Sequence, residues 1–248
     1  MVWYKDWQFW ALIPAFVAVV LSQVPPIRLW LRKRKLSVQI HRRAMINHHV
    51  GIPQIQIFVM LRNVGGRSIY LDKIEVDITT NGRTVFCEEA TTFFDGPSAK
   101  DAVLFVPFDL TPGARWTNMV NFGRILDRAE ERKFRAEQAA LRTDIAQKLK
   151  ENAAKDPPVE EVVFADEATM APLLDRFGRY FIWEPGDYQL KLRMLSGANV
   201  LSESSYRFVI FEADATELKA IKDKYNMGSG VVIDLPTQPI YVPLEVVN

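Results

Sequence analysis

Three patterns of apolar and polar residues follow one another along the chain. The first is a run without charge from Trp7 to Ile27, W-Q-F-W-A-L-I-P-A-F-V-A-V-V-L-S-Q-V-P-P-I. At a rise of about 1.5 Å per residue it would span roughly 30 Å, the thickness of a hydrocarbon core. This predicts a transmembrane helix near residues 7–25, ended by Pro25-Pro26, which lack the N–H that a helix needs. Pro14 lies inside the run, where membrane helices tolerate proline better than other helices do. Trp7 and Trp10 stand at one end and Trp30 at the other, as anchors at the two headgroup layers would. A cleaved leader fits less well, because Lys5 is offset by Asp6 and no A-x-A cleavage site follows.

From residue 36 the period becomes two, the signature of half-buried strands. Leu36 to His41 and Gln54 to Arg62 alternate, with a Gly65-Gly66 turn after them. Ser68 to Thr79 alternates again. Asn81-Gly82 then signals a tight hairpin into Arg83–Cys87, since both residues accept positive φ. Val103–Phe108 reads as a short strand, and Arg115–Phe122 follows the Pro112-Gly113 turn. Asp187 to Leu195 follows Pro185-Gly186, and Ser205–Glu212 closes the set. The tail, with Val231–Leu235 and Ile240–Val247, is strand-like but broken by Pro236, Pro239 and Pro243, which suits edge strands.

The third pattern interrupts the second. Arg124 to Lys155 is rich in Ala, Glu, Lys, Arg and Gln and contains neither Gly nor Pro, so it predicts one long helix. Phe134, Leu141, Ile145 and Leu149 would form its narrow apolar stripe. A second helix is expected over Thr169–Tyr180 and a short amphipathic one over Ala213–Tyr225. The insertion, at about 123–184, is either a cap over the sheet or an arm that binds a partner.

About eight short strands with turns between them describe an antiparallel sandwich. The segments I-F-V-M-L-R-N-V-G-G-R-S-I (57–69) and P-G-D-Y-Q-L-K-L (185–192) resemble an early hairpin and a late strand of immunoglobulin-like β-sandwiches. The resemblance is one of fold, covers about half of the chain and carries no catalytic motif. The paired core cysteines of that family are absent, since Cys87 is the only cysteine. Tyr188 sits where such domains place a tyrosine corner, a structural hydrogen bond. The expected fold class is therefore mainly β: a transmembrane helix and basic segment over 1–35, then a β-sandwich over 36–248 with the helical insertion.

Charge sharpens this division. No acidic residue lies between Asp6 and Asp72, and the same stretch holds nine basic ones. The whole chain sums to +1 and Lys5 cancels Asp6, so the body from Asp72 onward carries −8. Arg28, Arg32, Lys33, Arg34 and Lys35 would hold their end of the span on the cytoplasmic side and meet anionic headgroups. The expected location is a bacterial inner membrane, crossed once, with the N-terminus outside and the body in the cytoplasm. An acidic body repels phosphate, which argues against direct binding of nucleic acid.

Candidate chemistry is sparse. The histidines, His41, His48 and His49, lie close together, but adjacent residues alternate sides on a strand and no C-x-x-C or H-E-x-x-H accompanies them. No metal and no cofactor is expected. The sequence contains no G-x-S-x-G, no Walker A and no G-x-G-x-x-G. Glu88-Glu89, Glu130-Glu131 and Glu160-Glu161 are sequence neighbours, which do not face one another as acid–base pairs must. No residue is singled out as catalytic.

The sequence thus points to a non-enzymatic, single-span membrane protein whose β-sandwich binds a partner protein or ligand, or assembles with further copies of itself. One variant is a membrane effector of a bacterial defence system. The alternatives are a constitutive anchoring subunit of a cytosolic complex and an enzyme of unrecognised type, whose site would lie between insertion and sandwich.

Overall fold

Alternation of apolar and polar residues becomes long antiparallel strands in a computed structural model that describes residues 14, 16–20, 33–96, 99–156, 161–233 and 240–247. The strands are β1 (Leu36–His49), β2 (Ile52–Asn63), β3 (Ile69–Leu71), β4 (Lys73–Thr80), β5 (Arg83–Phe94), β6 (Val103–Leu104), β7 (Phe108–Leu110) and β8 (Arg115–Gly123). The helices α1 (Arg128–Ala153) and α2 (Glu167–Tyr180) follow, then β9 (Gly186–Ser196) and β10 (Asn199–Ile210). Helix α3 (Glu212–Ala220) runs into a 3-10 turn over Ile221–Met227, and β11 (Ile240–Pro243) and β12 (Glu245–Val246) come last.

The chain is mainly β. The expected sandwich takes the form of one continuous sheet, ordered β11-β1-β2-β8-β5-β4-β9-β10-β12, that curls until it nearly closes. Strand β5 makes the first corner. Its residues 83–89 pair with β4 and its residues 90–94 with β8, with a register shift between Ala90 and Thr92. The second corner is Leu244, which joins β11, paired with β1, to β12, paired with β10. Its N–H donates to the Arg42 carbonyl at 2.7 Å. That carbonyl belongs to a bulge in which His41, Arg42 and Arg43, all exposed, stand between the pairs Ile40–Val59 and Ala44–Ile57. The small pair β3–β7 lies apart from this sheet.

Inward positions form the main core. Ile55, Ile57, Val59 and Leu61 of β2 face Ile74, Val76 and Ile78 of β4 and Leu190, Leu192 and Met194 of β9 within one apolar cluster. Burying each such side chain stabilises the fold by about 1.5–3 kcal/mol. Trp183 and Tyr188 fix the entry to β9. The indole Nε1–H donates to the Asn47 carbonyl at 2.7 Å. The Tyr188 hydroxyl lies 2.9 Å from the Ile182 carbonyl and 2.8 Å from that of Glu184, a tyrosine corner.

A second apolar cluster sits between the β1–β2 turn and the helices. It contains Val50, Ile52, Phe134, Leu141, Met170, Leu173, Phe177, Tyr225 and Val231, so the insertion packs as a cap. Helix α1 starts where Asp127 accepts from the N–H groups of Ala129 and Glu130, both at 2.8 Å. Its inner stripe differs from the sequence expectation: Leu149 is exposed, and the buried position between Phe134 and Leu141 is Glu137. Val50 and Gly51 both have positive φ, 50° and 83°. A β-branched residue is strained there, and the buried Val50 side chain holds it in the cap's core. Gly51 is needed for space as well, because a Cβ would stand 2.7 Å from the backbone of Phe177.

The membrane architecture is overturned. Among the described residues no helix is long and apolar enough to cross a membrane. Of the expected span only Pro14 and residues 16–20 are described, and these are helical. The single pass, the inner-membrane location and the orientation built on that span fall with it. Trp7, Trp10, Trp30, Arg28 and Arg32 lie outside the described residues. Lys33, Arg34 and Lys35 are described, exposed, and lead into β1. The strand expected over Val231–Leu235 is, as far as described, a turn with one isolated bridge between Ser229 and Ile233.

Candidate functional site

At the end of β8 remote from the cap, opposite Leu61 of β2, the strand presents an aromatic side chain to the core. Trp116 on β8 has the same inward parity as Asn118, Val120 and Phe122 but stands at the rim of the sheet. Phe108 of β7 stacks on its ring, with centroids 5.3 Å apart. Phe93 of β5 and Phe105, just beyond β6, meet the indole edge-on at 5.5 and 6.3 Å. Edge-to-face contacts of this kind add to what burial alone supplies. The four rings form a rigid wall.

In front of this wall runs V-L-F-V-P-F (103–108). Phe105 turns inward, and its N–H donates to the Thr91 carbonyl at 2.9 Å. Leu104 leaves the sheet on the face opposite Val103, and Val103, Leu104 and Val106 are 50%, 71% and 61% exposed. Strand β6 pairs with β5 at Phe93–Val103 and Thr92–Leu104, on the side of β5 away from β8. No other described strand pairs with β6, so its outer edge carries backbone groups without strand partners. An apolar ledge with an open strand edge can take up an extended apolar segment, by backbone hydrogen bonds and side-chain burial together.

The histidines do not gather. His41 is exposed in the β1 bulge, and its Nδ1 accepts from the Arg43 N–H at 3.2 Å. His49 meets the Phe134 ring at 5.2 Å on the cap side. His48 is buried between Phe177 and Phe181, each 5.4 Å away. Its Nδ1 lies 3.2 Å from the Gly51 N–H and its Nε2 2.9 Å from the Leu218 carbonyl. That pairing assigns the proton to Nε2 and leaves Nδ1 as acceptor. Burial pushes the His48 pKa below the ordinary histidine value; the Leu218 carbonyl opposes this and the neighbouring His49 adds to it. Among the described residues no three His, Cys, Asp or Glu side chains are grouped as a metal ion requires. Cys87 is exposed on the opposite half of the sheet, and partial burial with nearby Asp77 raises its thiol pKa.

The cap carries one buried ion pair. Arg176 of α2 donates from Nε to Glu137 Oε2 of α1 at 2.9 Å, with side chains only 2% and 8% exposed. The guanidinium lies over the Phe134 ring, 4.7 Å from its centre. Tyr180 Oη donates to Glu130 beside it. These contacts join α1 to α2 and fix the cap as a unit.

The residues expected to anchor or orient the chain, Lys33, Arg34 and Lys35, are not brought to the ledge by any described contact. The ledge itself is missed by period-two reading, which marks Val103–Phe108 only as a strand. The available signal is the absence of alternation: five of its six residues are apolar and the sixth is proline. No protein-family model matches the chain, and no curated protein or solved structure is significantly similar to it.

Proposed function

We propose that the protein is a non-enzymatic binding module that takes a partner protein on the apolar ledge beside β6. The observation that carries this reading is the exposure of Val103, Leu104 and Val106 beside the wall of Phe93, Phe105, Phe108 and Trp116. Aliphatic side chains grouped this way lose about 1.5–3 kcal/mol each in water relative to burial, which a partner segment would recover. The partner supplies an extended apolar segment that runs along the open edge of β6. The helical cap holds the other end of the sheet and takes no part in this contact.

The test compares the native chain with the L104D and V106D variants, both at exposed positions that leave the core intact. Proximity labelling from a tag on the chain, quantified by mass spectrometry, should reveal a partner whose recovery falls at least tenfold in both variants while their thermal midpoints stay unchanged. Equal recovery of every labelled protein by native and variant chains refutes the reading. Sedimentation of the purified chain guards against a second copy as the occupant. Self-association that disappears in L104D would replace a foreign partner by the chain itself.

A further inference from the structure

A second feature lies on the outer face of the first half of the sheet. Strands β1, β2, β6, β8 and β11 and residues 90–94 of β5 carry no acidic residue, so the carboxylates behind the charge of −8 beyond Asp72 stand elsewhere. Register gathers cations on this face. Arg62 of β2 stands directly opposite Arg115 of β8 on one side and Ser37 of β1 on the other. Lys35, two residues before Ser37, falls on the same face by alternation. Lys35, Arg62 and Arg115 are exposed, and among the described residues none of them makes an ion pair or a side-chain hydrogen bond.

The other half of the sheet is built differently. There Lys73 pairs with Glu89 at 2.6 Å, Arg193 with Glu75 at 3.2 Å and Arg207 with Asp187 at 2.6 Å. Like charges directly opposite one another destabilise a sheet, and the Arg62–Arg115 pair carries that cost with no counter-ion from the described chain. The backbone that presents these cations is also fixed, by the fully buried Asn63. Its Nδ2 donates to the Arg67 and Leu110 carbonyls, both at 2.8 Å, and its Oδ1 accepts from the Gly65 N–H at 2.9 Å. Its own N–H donates to the carbonyl of Ala114, next to Arg115, at 3.1 Å. The Val64 N–H donates to the Lys35 carbonyl at 2.9 Å. Gly65 lies so close beneath Lys33–Lys35 that a Cβ there would stand 2.5 Å from the Lys33 carbonyl oxygen. One polar hub thus holds the chain at all three cations.

We infer that Lys35, Arg62 and Arg115 bind a polyphosphate chain laid across β1, β2 and β8. The chemistry follows from the side chains. Two guanidinium forks on adjacent strands match phosphate oxygens, which they bind by paired, charge-assisted bonds, and the ammonium of Lys35 adds a point charge. Three strands at a spacing of about 4.8 Å spread these charges over about 10 Å, further than one phosphate group serves. The Ser37 hydroxyl stands between as a donor. Arg42 and Arg43 of the β1 bulge, exposed and also without ion pairs among the described residues, extend the positive field along the strands. Next to Arg62 on the same face come Met60 and then Phe58, half-buried, against which a flat ring can lie. The chain can therefore be inorganic polyphosphate or the triphosphate of a nucleotide. The site does not depend on a partner at β6.

The experiment is calorimetric titration of the full chain with four probes, without added metal: sodium tripolyphosphate, ATP, adenosine and a hexaglutamate peptide. Saturable binding is expected with tripolyphosphate or ATP, and none with adenosine. R62Q/R115Q should weaken it at least tenfold, whereas K133Q, which removes an exposed cation of α1, should leave it unchanged. Thermal midpoints separate lost binding from lost folding, because R62Q/R115Q removes a repulsion and should melt no lower than the native chain in the absence of ligand. A tighter ATP assigns the site to a nucleotide, and a tighter or equal tripolyphosphate assigns it to the inorganic chain. The inference is overturned if neither phosphate compound binds saturably, if adenosine binds as tightly as ATP, or if K133Q loses as much as R62Q/R115Q. Tighter binding of hexaglutamate than of tripolyphosphate also overturns it, in favour of an acidic protein segment. The comparison of ATP with adenosine decides the matter even if R62Q/R115Q fails to fold.

Discussion

Replacing Glu137 by Gln tests how the cap is held. The change keeps the size of the side chain and removes its charge. Arg176, 2% exposed, would then be left as a buried cation facing a neutral amide, the Phe134 ring and the apolar cluster around Phe177, with the Tyr180–Glu130 pair beside it. An uncompensated buried charge costs about 3–5 kcal/mol, whereas replacing both partners by apolar residues of similar volume is often neutral or stabilising. E137Q should therefore lose about 3–5 kcal/mol, and E137L/R176M should return to within about 1 kcal/mol of the native chain. For a domain of this size about 2–4 °C corresponds to 1 kcal/mol, so E137Q should melt roughly 6–20 °C lower. Urea unfolding gives the free energies, and hydrogen exchange reports whether α1 and α2 open before the sheet. The reasoning fails if E137Q costs less than about 1 kcal/mol, or if the double variant is as unstable as the single one.

Further expectations follow from the same contacts. His48 has a folded pKa below its unfolded value, so the unfolded chain takes up the proton first; stability is full above the ordinary histidine pKa and falls as pH drops from there toward the folded pKa. Urea midpoints at stepped pH should show this decline, and H48Q, which keeps a donor for the Leu218 carbonyl, should flatten it. G82A meets open space and should cost only the left-handed backbone, about 1–2 kcal/mol, while G51A adds a clash with the Phe177 backbone and should cost clearly more; equal costs would refute the close approach. Y188F removes a hydroxyl held by two carbonyls and should cost about 1–2 kcal/mol, whereas Y225F removes a buried hydroxyl without a partner and should be neutral or stabilising, both read from thermal midpoints.

Local rules carried the sequence reading furthest where a few neighbouring residues decide the structure. Asn81-Gly82 reads as a hairpin turn and has φ of 51° and 72°. The run of helix formers after Arg124 became α1, and Met227-Gly228 ends the 3-10 turn with Gly228 at φ 79°. Pairing between distant segments was not legible. Nothing in R-T-V-F-C-E-E-A-T-T-F-F announces that β5 leaves β4 and joins β8 midway. Glu137 looks like one more solvated charge in a charged helix, because its partner Arg176 lies on the next helix. The apolar run at 7–27 speaks through length and hydropathy alone, and among the described residues no helix is long and apolar enough to cross a membrane. The ledge escaped because a strand pattern does not tell which of its faces remains uncovered.

The seam at Leu244 has a consequence for synthesis. Strand β1 finds its outer neighbour in residues 240–243 and β10 finds its own in residues 245–246, so both must wait for residues made after β10. About 30 residues separate the end of β10 from the seam. At about 5–20 residues per second, a ribosome takes roughly 2–6 s to make them. During that interval the nascent chain is an unzipped sheet with two bare margins, the state in which a growing polypeptide most needs a chaperone's shelter.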